Sequence, residues 1–162
     1  NLREDKGYTY GAYSYFMGEK EKGVFAIQTS VKTEVTDSAL VEIFSILDNY
    51  TNVGLTKEEL NSTKASYLNS ASMKYETPSQ KLRFLNRILT YDLDPSYINK
   101  QADILNSMTL KEINAIASSK IKPNKMAVVI VGNKYLIKKK LENMVSKTDE
   151  MQFNFKINEI KY

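Results

Sequence analysis

Residues that could act on a substrate are concentrated near the start of the chain, where Arg3, Tyr10 and Gly11 lie within one short stretch. An arginine stays charged and can make two parallel hydrogen bonds to oxygen atoms, and a tyrosine hydroxyl can donate one more. The pair could therefore hold a polar substrate. The same residues also fit a second interpretation, in which Arg3 caps helix carbonyls and the tyrosines form core and interface.

Composition excludes several kinds of chemistry. The chain has 162 residues, no cysteine and no histidine. Disulfides, cysteine or histidine nucleophiles and an ordinary zinc site within this chain are therefore excluded. Two pairs of acidic residues, Glu58 with Glu59 and Asp92 with Asp94, suggest no metal site either. Adjacent helical carboxylates point in different directions, and Asp94 is better explained as a helix cap.

Charge and hydropathy restrict the partners. The net charge of +4 comes from lysines spread along the chain, so we expect no nucleic-acid partner. No apolar run is long enough to span a bilayer, and Gly132 lacks the Lys-Ser/Thr of a phosphate-binding loop. The missing cysteines do not decide the compartment.

The element that carries Tyr10 is predicted to be the first strand of a hairpin. Gly7 suits the end of a helical turn, and the aromatic and β-branched residues after it favour a strand. A polar turn from Gly18 to Gly23 then leads into an antiparallel strand over residues 24–31. Strict alternation places Tyr10 on one face with Ala12, Ser14 and Phe16, and Thr9 on the other. Because neither face is uniformly polar, we expect this strand to be covered on both sides. Gly11 should let a ligand or another backbone come close.

The middle of the chain is predicted to be helical. A three-and-four spacing of apolar residues from about Thr36 to Tyr50 predicts one long helix. Three later helices are predicted to begin at a capping box, in which a threonine and a Glu or Gln three residues on satisfy each other's backbone amides. The capping threonines are Thr56, Thr77 and Thr109. Asp94-Pro95 is another start signal, and a last amphipathic helix is predicted over residues 135–145.

The helix that starts after Thr77 has an apolar stripe and a basic side. The stripe consists of Leu82, Leu85, Ile88 and Leu89, and the cations are Lys81, Arg83 and Arg87. We expect the basic side to lie in water, because three cations supply too few phosphate contacts for strong binding.

Two further strands are predicted near the end of the chain. Residues 126–132 form a short, continuous, β-branched apolar run, which is typical of a central strand buried on both faces. Residues 151–155 alternate as a last, edge strand would.

The order of these elements predicts the fold class. Two strands, several helices, a strand, a helix and a strand give an α+β two-layer sandwich with a mostly antiparallel sheet and helices on one face. The length predicts a single domain over residues 1–162.

The opening stretch also resembles a known motif. Leu2-Arg3-Glu4, Lys6-Gly7, Tyr10-Gly11 and Tyr13-Ser14 stand in the order and spacing found in the C-terminal half of the pitrilysin/insulinase zinc peptidases, the inverzincins and their mitochondrial processing relatives. Most of the remaining chain is similar in order and spacing as well. The later pieces are Leu93-Asp94-Pro95 with Tyr97, Met108–Ile113, Ala115–Ala117, Pro123-Asn124 and Val128–Gly132.

This resemblance implies a processing-peptidase-like half that lacks its opening strand and helix. In the family the zinc ligands and the general base lie on a His-x-x-Glu-His helix of the N-terminal half, so zinc belongs to the parent enzyme and none is expected on this chain. Tyr10 would hydrogen-bond a substrate carbonyl and Arg3 would position the peptide, both facing the same cavity. Gly11 would join them in binding the substrate. The implied function is the substrate-binding half of a zinc metallo-endopeptidase, inactive when isolated.

Several alternatives and partners follow. The chain could instead be a non-catalytic subunit that pairs with a zinc-bearing one, or a basic α+β module that binds acidic proteins. The expected partners are a peptide or protein substrate and an N-terminal zinc-bearing half or subunit. An exposed sheet edge could also pair with a second copy of the chain.

Overall fold

The computed structural model describes residues 1–18, 20–70, 72–146 and 156–158. They belong to two compact units, one formed by Asn1–Asn52 with Ser118–Tyr162 and the other by Val53–Ala117. Each unit is described by itself below. The single domain over residues 1–162 stays a prediction.

The first unit begins with a helical turn that leads into the hairpin. Gly7 ends the turn with φ +61°, the left-handed conformation that glycine adopts without strain, and its amide donates to the Arg3 carbonyl over 3.0 Å. The buried side chain of Leu2 anchors the turn. As predicted, two antiparallel strands follow, β1 (Thr9–Met17) and β2 (Val24–Val31), and they form a two-stranded sheet.

The hairpin contains a register shift at the point where Tyr10 lies. Thr9 pairs with Val31 but Ala12 pairs with Thr29, so three steps along β1 match two along β2. This is a β-bulge in which Tyr10 and Gly11 together oppose Ser30. The bulge puts Thr9 on the same face as Ala12, whereas strict alternation had placed the two on opposite faces. That prediction was wrong because the strand contains one extra residue.

Helices and a small core complete the first unit. The long helix predicted from Thr36 is α1 (Thr36–Asn52), and the helix predicted over 135–145 is α6 (Lys134–Ser146), which packs on α1. Short 3₁₀ turns lie at Thr33–Val35 and Pro123–Lys125. The buried apolar residues of this unit are Leu2, Ala39, Phe44, Leu47, Ile121, Ile137 and Met144.

The second unit is helical in its described residues. It contains α2 (Lys57–Asn69), α3 (Pro78–Tyr91), α4 (Tyr97–Ser107) and most of α5 (Leu110–Lys120). A 3₁₀ turn, Ser72–Tyr75, follows α2. All three predicted capping boxes are present, at Thr56, Thr77 and Thr109. Asp94 accepts from the Ser96 amide over 2.7 Å just before α4, so the predicted start signal is confirmed, but the N-cap residue is Ser96 and not Asp94 as predicted.

The apolar stripe predicted for α3 is mostly in water. Leu82, Leu85 and Leu89 are exposed, while Phe84 and Ile88, four residues apart, are partly covered. The Phe84 ring lies edge-on against Tyr75, with centroids 5.1 Å apart. This contact orients the helix with Phe84 inward, which the leucine pattern did not predict. The cations Arg83 and Arg87 are exposed, as expected.

The two strands predicted near the end of the chain are not among the strands of the described structure. Residues 126–132 form no strand, and Val129 and Val131 are highly exposed. Within the described residues, no backbone group of 127–131 bonds to another backbone group. A strand requires a paired neighbour, so the prediction of a buried central strand was wrong here. The strand predicted over 151–155 lies outside the described residues. The mixed helical and antiparallel architecture nevertheless confirms the α+β class.

Candidate functional site

Arg3 lies on the helical turn that precedes β1. Its side chain is 67% exposed, and its Nε is 3.3 Å from Oε1 of the neighbouring Glu4. Ion pairs this exposed contribute little free energy, because water screens both charges. The guanidinium is thus accessible to hydrogen-bond acceptors other than Glu4.

Tyr10 lies in the bulge with its ring turned outward. It is 93% exposed, whereas the preceding Thr9 is 9% exposed. Among the described residues, no group hydrogen-bonds the Tyr10 hydroxyl. The phenol is therefore an available donor on a strand whose neighbouring residue is buried.

The rest of β1 is also more open than its sequence indicated. Tyr13 and Phe16 are exposed, although the Phe16 ring contacts Phe25 with centroids 4.8 Å apart. The expectation that both faces of β1 are covered was wrong. This unit places a row of aromatic side chains on the same strand as Tyr10 and exposes them to solvent.

Gly11 does not leave open space for a ligand above its Cα. A Cβ built there would lie 3.0 Å from the Tyr13 hydroxyl oxygen and 3.2 Å from a carbon of that ring. The side chain of Tyr13 thus occupies the space next to Gly11. What Gly11 contributes in this structure is its backbone, which accepts and donates hydrogen bonds at the bulge.

Two threonine hydroxyls hold the bulge, and the sequence patterns did not single them out. The Gly11 amide donates to Thr9 Oγ1 over 3.1 Å, and the Gly11 carbonyl accepts from Thr29 Oγ1 over 3.0 Å. Thr9 Oγ1 also lies 2.7 Å from the Ser30 carbonyl, to which it can donate. An isolated glycine within a strand is a known signal of a bulge, so Gly11 could have pointed to this network.

A groove of about 500 Å³ lies in the first unit between β2, the segment 126–132 and α1. Neither Arg3 nor Tyr10 lines it. Its α1 side is largely apolar, formed by Ala39, Leu40, Ile43, Phe44 and Leu47. The Thr36 hydroxyl, which also lines it, donates to the Thr33 carbonyl over 3.1 Å. The groove is therefore apolar along α1 and includes polar residues such as Gln28 and Ser30 along β2. Pairing of a second copy at the sheet edge stays a prediction.

The titratable groups with shifted pKa values belong to the second unit. Hydrogen bonds from the backbone and then from the side chain of the capping threonine lower the pKa of Glu59 and of Glu112. Hydrogen bonds from the Ser96 side chain and backbone, followed by the Lys100 charge, lower the pKa of Asp94. Burial raises the pKa of Tyr75. These shifts reflect helix caps and packing in the second unit.

The residues present do not fit a zinc ion. The sequence has no histidine or cysteine, and no three carboxylates gather within the described ranges. Zinc prefers nitrogen and sulfur ligands with tetrahedral placement, which this chain does not supply.

Each helix in the described part of the chain is too short or too polar to span a bilayer.

Comparison with known proteins shows which family the chain resembles. The family model described as the peptidase M16 inactive domain matches residues 1–67, the part that holds the hairpin and Tyr10. These residues thus resemble the M16 inactive domain. The M16-like chain shares its fold with the peptidase M16 inactive domain from Pseudomonas fluorescens, with a TM-score of 0.69 and 23% identity. That match covers 76% of this chain and 29% of the other.

Two further relatives are informative. The periplasmic protease PqqL from Escherichia coli matches the M16-like chain with a TM-score of 0.58 and 21% identity, covering 72% of this chain and 13% of PqqL. The non-peptidase homolog YmxG from Helicobacter pylori (strain ATCC 700392 / 26695) is 27% identical over 135 residues. Those residues are 82% of this chain and 31% of YmxG, so the M16-like chain spans about a third of that relative.

Proposed function

We propose that this chain is the non-catalytic half of a peptidase, which holds an extended peptide while another half or subunit carries the reacting centre. The observation that carries the proposal is the exposed hydroxyl of Tyr10, which has no hydrogen-bond partner among the described residues and lies on an anchored bulge. The match to an inactive peptidase domain supports it, since such a domain would contribute binding without the metal ligands.

The two donors have complementary tasks. The Tyr10 hydroxyl would donate to a peptide carbonyl near the bond to be cleaved, where negative charge develops on oxygen. The planar guanidinium of Arg3 would make parallel hydrogen bonds to carbonyl groups or an acidic side chain of the same peptide. Both side chains reach solvent from backbone that is fixed by hydrogen bonds, so binding requires no further ordering of the backbone there.

The zinc implied by the sequence resemblance would belong to the partner half. Because the donor set of this chain does not fit zinc, we assign no step to the metal here. What this chain would do is orient the peptide and donate hydrogen bonds to it.

A mutation at Arg3 tests the positioning role. In the complete peptidase that contains this chain, Arg3→Lys should raise KM by roughly tenfold while kcat changes less, because a lysine cannot make the two parallel hydrogen bonds. Glu4→Gln is the matched control, since it removes only the carboxylate beside Arg3. That variant should leave KM equal or lower. Equal KM values for Arg3→Lys and the unmodified protein would remove Arg3 from the site.

A second candidate function is favoured by the relative named a non-peptidase homolog. In that case the complete protein would use the same half for binding or assembly without cleaving peptides. The two candidates differ in one measurement, the hydrolysis of a mixed peptide library by the complete protein supplied with zinc. Cleavage favours the first candidate, and binding of peptides without cleavage favours the second.

A further inference from the structure

Two consecutive residues at the β-bulge differ sharply in exposure. Thr9 is 9% exposed and Tyr10 is 93% exposed, and the register shift falls between Thr9 and Ala12. In a regular strand such a shift would leave the polar backbone groups of the extra residue unpaired, at a cost in free energy. Here the amide and the carbonyl of Gly11 both find side-chain partners.

The hydroxyl of Thr9 is at the centre of this arrangement. It accepts from the Gly11 amide over 3.1 Å and lies 2.7 Å from the Ser30 carbonyl across the hairpin. The Thr29 hydroxyl lies 3.0 Å from it and 3.0 Å from the Gly11 carbonyl. A hydroxyl has one proton to donate and two lone pairs to accept with. Thr9 can therefore donate to the Ser30 carbonyl while it accepts from the Gly11 amide and keeps a second lone pair for Thr29.

The consequence concerns Tyr10, which lies between Thr9 and Gly11. Both of its neighbours are tied to β2 through hydroxyl groups, while the Tyr10 side chain itself makes no hydrogen bond within the described residues. The direction of the Cα–Cβ bond of Tyr10, from which the ring extends, is thus set by the backbone on either side. A binding group held by supporting hydrogen bonds in this way is preorganised for its ligand.

We propose that Thr9 and Thr29 are positioning residues for Tyr10, and that the hydroxyl pair fixes the bulge that points the phenol at the substrate. This inference rests on the proposed function, since it assigns a task to the residues behind the donor. Neither threonine contacts the substrate. They act by keeping the Tyr10 backbone in one conformation.

The test uses the complete peptidase that contains this chain, with two measurements on each variant. The first is hydrogen exchange of the Gly11 amide, and the second is kcat/KM for a peptide substrate. Thr9→Val should speed exchange at Gly11 and lower kcat/KM by roughly tenfold or more, because a small misplacement of a binding group costs much of its effect. Thr9→Ser keeps the hydroxyl and should restore both values. Thr29→Val should have a smaller effect, since the Thr9 hydroxyl lies 2.9 Å from the Gly11 carbonyl and can donate to it in place of the Ser30 carbonyl.

A matched control and a double variant separate positioning from general damage. Thr51→Val also removes a hydroxyl that donates to a backbone carbonyl in the first unit, and it should change neither measurement. In the Tyr10→Phe background, Thr9→Val should lower kcat/KM little further, because the two changes remove the same donor. If Thr9→Val speeds exchange at Gly11 while kcat/KM stays unchanged, and Tyr10→Phe alone lowers it, the positioning role is wrong and the proposed function stands. If Tyr10→Phe alone has no effect, the proposed function fails and the inference fails with it.

Discussion

The hydroxyl oxygens of Thr29 and Thr9 lie 3.0 Å apart across the β1–β2 hairpin. The two residues are 20 positions apart in the chain, and their contact lies directly behind the bulge that turns Tyr10 outward. The buried side of the hairpin thereby determines what its exposed side presents.

The first prediction concerns the stability of the core of the first unit. Phe44 on α1 is 4% exposed, so Phe44→Ala should lower the free energy of unfolding by about 3–5 kcal/mol through lost burial and a residual cavity. Val131→Ala is the control, because Val131 is 93% exposed and its truncation should change stability by no more than about 0.5 kcal/mol. Urea denaturation followed by circular dichroism measures both. Equal effects of the two substitutions would mean that α1 does not pack as described.

The second prediction concerns a glycine in a loop of the second unit. Gly54 has φ +87°, and a Cβ there would lie 2.4 Å from the side-chain amide of Asn114. Asn114 meanwhile accepts from the Leu55 amide over 2.9 Å and donates to the Leu55 carbonyl. Gly54→Ala should therefore destabilise by at least about 2 kcal/mol, from backbone strain and loss of these bonds.

A double-variant cycle separates those two causes. In the Asn114→Ala background the clash is absent, so Gly54→Ala should cost less than it does in the original chain, by about 0.5–3 kcal/mol. The strain at positive φ remains in both backgrounds. Strictly additive destabilisation would show that the Asn114 side chain does not contact the loop.

The capping boxes predict a dependence on pH. Hydrogen bonds from Thr56 and Thr109 lower the pKa of Glu59 and Glu112 in the folded chain. A carboxyl whose folded pKa is depressed stabilises fully above its unfolded pKa, about 4.3 for glutamate, and that stability is lost as the pH falls through the folded value. The unfolding free energy should therefore decrease on acidification below about pH 4.

A glutamine variant checks the origin of that decrease. The double substitution of Glu59→Gln and Glu112→Gln keeps an oxygen that can accept from the N-cap amides, but it removes the titrating groups. Its unfolding free energy should change less between neutral and acidic pH than that of the original chain. An unaltered pH dependence would assign the effect to other carboxylates.

Local rules predicted much of the fold. The hairpin, α1 and the three threonine capping boxes follow from short-range patterns, because turn glycines, apolar spacing and capping side chains act within a few residues. Gly7 was likewise read correctly as the end of a helical turn. These elements form with little help from distant parts of the chain.

The predictions that went wrong depend on distant contacts. Residues 126–132 have the composition of a buried strand, but pairing requires a neighbour that composition does not specify. The leucines of α3 suggested one orientation, and the contact between Phe84 and Tyr75 favours another. At the site, the motif identifies Arg3 and Tyr10. It does not predict a role for Thr9 and Thr29, because a one-residue bulge changes which residues of the strand face the same side. Only the register of the hairpin shows that reversal.

The most direct test of the central claim is kcat/KM for peptide hydrolysis by the Tyr10→Phe variant of the complete protein that contains this chain. Loss of one donor to a developing oxyanion should lower kcat/KM by about 10²–10³-fold. The unfolding curve should not move, because the Tyr10 hydroxyl is exposed and makes no hydrogen bond within the described residues. A kcat/KM within about twofold of the unmodified enzyme would show that the Tyr10 hydroxyl does not act on the substrate.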